Sequence, residues 1–402
     1  MPFLRLNFST YDSALLFQQN VNQTLARIHF PTQVINAFFD LRRETSQKTW
    51  RQLLYGVHVV FTFFLLIVVI GILVVEPYSI VRYDPLKSSI HGVLSAYFIK
   101  CQGFTSIVFL LAWNLRARSS LFHSRLMETS SGAGVLRKAK ILQSINYMLV
   151  VYNVFRILLS VGIAVLRKWN ANEEFAYYGS TEVLSWQTVG AAIFNGVVCG
   201  VAHLTATSLV FTHTGIVRSE FIVLAEDFRT DVNNNQLPVV NHYTFAYKNL
   251  IGLYKIIHLS LGVWINLQLC FSFVQLFYVV SILDVFSPWP ETVVCLLLMV
   301  DSLIASMMHA VLIAKLYDSF AALPTAVLGL AVSGQVLNEG TYALINTFVA
   351  YTSQKHWRVY FVFGLFSISV RMLARLYIVI IVIALWGRFQ SDNMLVTVEE
   401  IN

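Results

Sequence analysis

The chain has 402 residues, of which 57% are apolar and only 12% charged. Soluble proteins carry about 25% charged residues, so a set of soluble domains is excluded at a length that would otherwise fit two or three. The formal charge of +7 sits in loops between apolar runs, which points away from nucleic acid as a partner.

Seven runs have the length of a membrane crossing, about 20 residues. They lie at 55–75, 91–113, 146–166, 187–212, 256–283, 293–314 and 360–386. Residues 1–54 are polar and mixed and read as a cytoplasmic N-terminal segment. Lys and Arg crowd this segment (Arg42, Arg43, Lys48, Arg51) and the second loop (Arg116, Arg118, Arg137, Lys138). They recur in the fourth loop (Arg218, Arg229, Lys248) and the sixth (Lys315, Lys355, Arg358). The loops between are basic-poor and hold Glu76, Asp84, Glu173, Glu174 and Glu182. Basic residues stay on the cytoplasmic side. The expectation is an all-α membrane protein with seven transmembrane helices, in the plasma membrane, N-terminus inside and C-terminus outside.

The basic loops are long and carry apolar residues at helical spacing, such as Phe245, Ile251, Tyr254 and then Leu344, Phe348, Tyr351. That pattern predicts cytoplasmic helical extensions of spans three, five and six. In the sixth loop, 315–359, the uncharged stretch 319–338 reads as a re-entrant or cytoplasmic helical hairpin, because Pro324, Gly329 and Gly334 interrupt it. A cytoplasmic helical anchor at 315–359 and an extracellular tail at 387–402 complete the plan.

Charge inside a span costs about 2.5–3.5 kcal/mol at the midplane on insertion scales. Lys100, Arg156, Asp301, Arg371 and Arg375 all lie inside predicted spans. At 1.5 Å per residue, Lys100, Arg156, Asp301 and Arg375 fall about 12–17 Å below the outer helix ends, and Arg371 about 23 Å. One reading is internal pairing, with Asp301 neutralising Arg375 or Lys100. The other is a pocket of excess positive charge for an anionic or carbonyl-bearing small molecule, with Tyr152, Tyr97 and His203 as neutral neighbours. Arg371 and Arg375 are expected to face the subunit interior.

His203, His258 and His309 read as packed, hydrogen-bonded groups, since their spacing makes no metal motif. The cysteines Cys101, Cys199, Cys270 and Cys295 lie in or beside apolar runs and read as buried small hydrophobes. Gly196 and Gly200 form a small-xxx-small pair for close helix contact. No phosphate loop, dinucleotide fingerprint, zinc-protease helix or nucleophile elbow occurs, so neither an enzyme nor a cofactor is expected.

Three stretches resemble the insect gustatory and odorant receptor superfamily. Phe245-Ala-Tyr-Lys-Asn-Leu-Ile-Gly-Leu-Tyr-Lys-Ile-Ile-His-Leu-Ser is similar to the lead into that family's fifth segment. Ile345-Asn-Thr-Phe-Val-Ala-Tyr-Thr-Ser-Gln-Lys with Phe363-Gly-Leu-Phe-Ser-Ile-Ser resembles its split seventh helix. The gustatory signature is Thr-Tyr, five apolar residues, then Gln-Phe. Tyr377 and 378–382 match it, with Leu376 in place of Thr and Ile383-Ala384 in place of Gln-Phe.

The resemblance implies a tetrameric, homomeric or heteromeric, ligand-gated cation channel set in membrane lipid. It implies that the last helix lines the pore, with Tyr377, Ile380, Ile383 and Ala384 as pore and gate residues. It further implies a ligand pocket in the outer half of each subunit, for which Lys100, Arg156, Tyr152, Tyr97, His203, Asp301 and Arg375 are the candidates. The alternative is a seven-helix G-protein-coupled chemoreceptor. Against it stand the inside N-terminus, the absence of proline from the predicted spans, and missing Asp-Arg-Tyr and Asn-Pro-x-x-Tyr motifs.

Overall fold

A computed structural model describes residues 11–30, 32, 36, 49–81, 89–129, 132–170, 186–233, 240–282, 289–332, 339–353, 360–361 and 366–399. In chain order, α1 covers Tyr11–His29, α2 Thr49–Val81, α3 Ser89–Leu115, α4 Arg118–Thr129 and α5 Ala133–Asn170. Then come α6 Trp186–Asn233, α7 Val240–Ile282, α8 Trp289–Val332 and α9 Glu339–Ser353. Strands β1 (Tyr360–Phe361) and β2 (Phe366–Ser367) pair antiparallel, Tyr360 with Ser367 and Phe361 with Phe366, before α10 at Val370–Glu399.

Six of these helices, α2, α3 and α5 to α8, are long and apolar enough to cross a membrane. The chain is a multi-pass helical membrane protein. Helix α6 sits at the centre, packed against α3, α5 and α8. Helix α2 lies at the rim and exposes Val60, Phe61, Phe64 and Ile67.

With 48, 43 and 44 residues, α6, α7 and α8 run about 65–70 Å at 1.5 Å per residue. That is more than twice a hydrocarbon core of about 30 Å. The excess forms a second layer at one end of the bundle, where the start of α5 and α7 meets the end of α6 and α8. Aromatic rings fill it. Phe221 meets Phe320 at 4.8 Å and Tyr247 at 5.1 Å between centroids, and Tyr247 meets Phe348 of α9 at 5.2 Å. Glu220 Oε1 accepts the N–H of Val135, 3.0 Å away, and so caps the first turn of α5 from α6. Arg137 pairs with Asp227 at 2.9 Å across the same two helices.

Several expectations change here. Span four is extended as well as three, five and six. Residues up to Val332 continue α8 through Pro324 and α9 packs back on α7 and α8, which is the hairpin and not the re-entrant alternative for this stretch. The N-terminal segment is not merely a polar tail, because α1 buries Val21, Leu25 and Ile28 in the core. Cys199 and Cys295 are buried, but Cys270 is exposed on the bundle surface. Finally, the last helix starts at Val370, not at residue 360, because Ser369 Oγ accepts the N–H of Met372 at 3.1 Å as an N-cap. It also runs on to Glu399, through most of the expected 387–402 tail.

Candidate functional site

Five helices, α3 and α5 to α8, place polar side chains in one buried network. Its centre is Arg156 of α5, whose Nε lies 2.9 Å from Asp301 Oδ1 of α8, with both side chains shielded from solvent. The Nε–H is not aligned on that oxygen; the aligned donor to it is the Tyr152 hydroxyl, at 2.7 Å. Gln275 Nε2 of α7 reaches the other carboxylate oxygen at 3.4 Å. Arg156 Nη2 donates to Gln102 Oε1 of α3.

Gln102 carries the network onward. Its Nε2 donates to Ser272 Oγ at 3.1 Å, and its carbonyl accepts from Gln268 Nε2 at 3.2 Å and Ser106 Oγ at 2.8 Å. Ser106 Oγ in turn lies 3.2 Å from His203 Nδ1 of α6 and receives Trp264 Nε1 at 3.3 Å. Buried charge is tolerated only when paired and hydrogen-bonded. Here one cation, one anion and several amides and hydroxyls satisfy that condition together.

Helix α10 joins at one point. The Tyr377 hydroxyl and Ser306 Oγ of α8 share a hydrogen bond, and the Tyr377 ring sits edge-on to Phe273 of α7 at 5.9 Å. Ser306 is on the same helix as Asp301, little more than one turn further along. The last helix is thus pinned to the element that holds the buried carboxylate.

The sequence-derived residues divide sharply. Arg156, Tyr152, Asp301 and His203 belong to one network. Lys100 is buried on α3. Tyr97 donates instead to the Leu73 carbonyl of α2 at 3.0 Å. Asp301 is neutralised by Arg156, not by Arg375 or Lys100, so the expected pairing is corrected. Arg371 and Arg375 both face outward, against expectation. With α10 starting at Val370, they sit in its first two turns, where a long cationic side chain reaches water more cheaply than a buried partner.

The proposed pore stripe also splits. Ala384 is 1% exposed and Ile380 and Tyr377 pack against the bundle, whereas Ile383 is 54% exposed. Leu373, Tyr377, Ile380 and Ala384 form the inward face, and Val379, Val382, Ile383 and Trp386 are exposed. The four residues therefore do not share one exposed face. Sequence reasoning missed Gln102, Gln268 and Gln275. Amides within apolar runs were the available signal, and seven-residue spacing puts Gln268 and Gln275 on one face of α7.

No protein family profile matches the sequence, and no curated protein matches it either. Solved structures do. The insect olfactory receptor OR5 from Machilis hrabei superposes with a TM-score of 0.67 at 10% identity, over 92% of this chain and 98% of that one. The chain has the insect olfactory receptor fold. The same receptor in complex with eugenol gives a TM-score of 0.62, again at 10% identity, over 93% of this chain and 99% of that one. Nearly the whole olfactory receptor is matched.

Proposed function

We propose that the chain is a chemosensory receptor of the insect olfactory and gustatory superfamily, working as a tetrameric, ligand-gated cation channel. The observation that carries this reading is the near complete likeness in fold to an olfactory receptor. The partial signature at Tyr377 and 378–382 favours the gustatory-like branch. The ligand is a small organic molecule, as eugenol is for the Machilis hrabei receptor.

In this reading the helical end layer joins the subunits, and the N-terminus lies in the cytoplasm. The exposed apolar face of α10, with Val379, Ile383 and Trp386, lines the conduction path. Tyr377, Ile380 and Ala384 instead hold α10 to its own subunit. Ligand binding near Lys100, Tyr97 and Tyr152 shifts the network, and α8 carries the shift from Asp301 through Ser306 to Tyr377. Apolar residues at Ile383 close the path by dewetting.

A G-protein-coupled mechanism is not favoured, since the olfactory receptor likeness spans the chain. Excised membrane patches without GTP discriminate the two. Small-molecule application should open cation currents there; a response that needs GTP and intact cytosol would support the alternative.

A further inference from the structure

Three histidines meet at the junction of α1, α4 and α6. His29 ends α1, His123 lies in the short α4, and His213 lies in the extended half of α6. One ring nitrogen from each lies within 4.8 Å of the other two. Ring centroids are 5.3 Å apart for His29 and His213, 5.6 Å for His29 and His123, and 5.8 Å for the stacked pair His123 and His213.

The Nε2 atom of all three is buried with no hydrogen-bond partner among the described residues. Buried polar atoms are nearly always partnered; His203 and His309 carry the same unpartnered atom singly, and what sets this place apart is that three converge. Packing of aromatic rings alone does not explain it, because phenylalanine would stack as well without stranding a nitrogen.

The surroundings orient the rings. His213 Nδ1 faces the Leu209 carbonyl at 2.8 Å, which puts the proton on Nδ1 and leaves the Nε2 lone pair free. A ring nitrogen held by a backbone carbonyl is the usual support for an imidazole that binds metal through its other nitrogen. Phe122 and Trp113 wall His213 at 4.6 and 5.2 Å between centroids. Trp113 spends its own Nε1–H on Ser119 Oγ at 2.7 Å, so it does not compete for the imidazoles.

His29 is held from behind. Thr32 Oγ1 donates to the His29 carbonyl at 2.8 Å and meets Ser208 Oγ of α6 at 3.1 Å. Asn146 Nδ2 of α5 donates to the Ile28 carbonyl at 2.6 Å. Burial drives the His29 imidazole down to about 3, with His123 as the second cause, and burial lowers His123 too.

We propose that His29, His123 and His213 bind one divalent transition-metal ion, zinc in the cell, and that the ion staples α1 to α4 and α6. Three imidazoles without a carboxylate suit zinc, copper or nickel and not the hard ions magnesium and calcium. Tetrahedral zinc with nitrogens at about 2.0–2.1 Å needs them about 3.4 Å apart. Small rotations of His29 and His123, which are only partly buried, close that gap. Water would take the fourth position of such a site.

The test uses the purified full-length receptor, stripped with a chelator and titrated with Zn2+ or Co2+. One ion per chain should bind, Co2+ should show the visible bands of a four-coordinate site, and Zn2+ should raise the melting temperature. H29F and H123F should each weaken binding at least about tenfold while melting near wild type without metal. H123C keeps a ligand, and with Co2+ it should add a thiolate charge-transfer band. No bound ion, or binding unchanged in H29F and H123F, overturns the proposal, and so does an H123C spectrum without that band.

Discussion

Arg156 Nε stands 2.9 Å from Asp301 Oδ1 in a setting where neither side chain meets solvent. Helices α5 and α8 are tied by this pair, and Tyr152, Gln102 and Gln275 complete its hydrogen bonding. Removing one partner leaves a buried charge uncompensated, at a cost of about 3–5 kcal/mol. Asp301→Asn should therefore lower the melting temperature of the detergent-solubilised protein steeply. The double variant Arg156→Met with Asp301→Leu should recover most of the loss, since an apolar pair of similar size costs little. Equal instability in both variants would mean that packing, not charge, dominates here.

Tyr152→Phe removes one hydrogen bond to the same carboxylate and leaves the ion pair. Bonds to charged groups contribute about 1.5–3 kcal/mol, so this variant should melt between wild type and Asp301→Asn. The same melting assay checks the order.

Gly103 of α3 faces α6 so closely that an added Cβ would clash with the Cys199 carbonyl oxygen and Cβ. Backbone cannot yield as a side-chain end can. Gly103→Ala should destabilise by about 1–3 kcal/mol through overpacking. Gly162→Ala, which meets nothing within 4 Å, should stay within about 1 kcal/mol of wild type. Melting of the two variants side by side separates close approach from helix propensity.

Tyr377→Phe deletes the bond to Ser306 that joins α10 to α8. A neutral hydrogen bond contributes about 0.5–1.5 kcal/mol, so if the chain is the ligand-gated channel proposed above, its half-maximal ligand concentration should shift by up to about tenfold. Dose-response recording reads this directly. An unchanged curve with normal expression would separate Tyr377 from gating.

The crossings in α2, α3 and α5 to α8 were legible because hydropathy and length state them openly. Arg156, Asp301 and Tyr152 were legible as well, since charge within an apolar run has so few places to go. Their pairing was not, because it depends on which helix faces which. Residues 360–369 read as helix by hydropathy, yet Phe361 and Phe366 pair across β1 and β2, and the stop signal was only Ser369, one N-cap serine. His29, His123 and His213 gave no local signal at all. Three elements far apart in sequence bring them together.

The most direct measurement is whole-cell recording of wild type beside Ile383→Lys and Ala384→Ser, with surface expression checked. If the exposed face of α10 lines the path, wild type should pass ligand-evoked cation current. Ile383→Lys should suppress or reverse its selectivity, and Ala384→Ser, on the buried face, should conduct much as wild type does. Absence of any evoked current, or cation currents through Ile383→Lys equal to wild type, would contradict the channel reading of this helix.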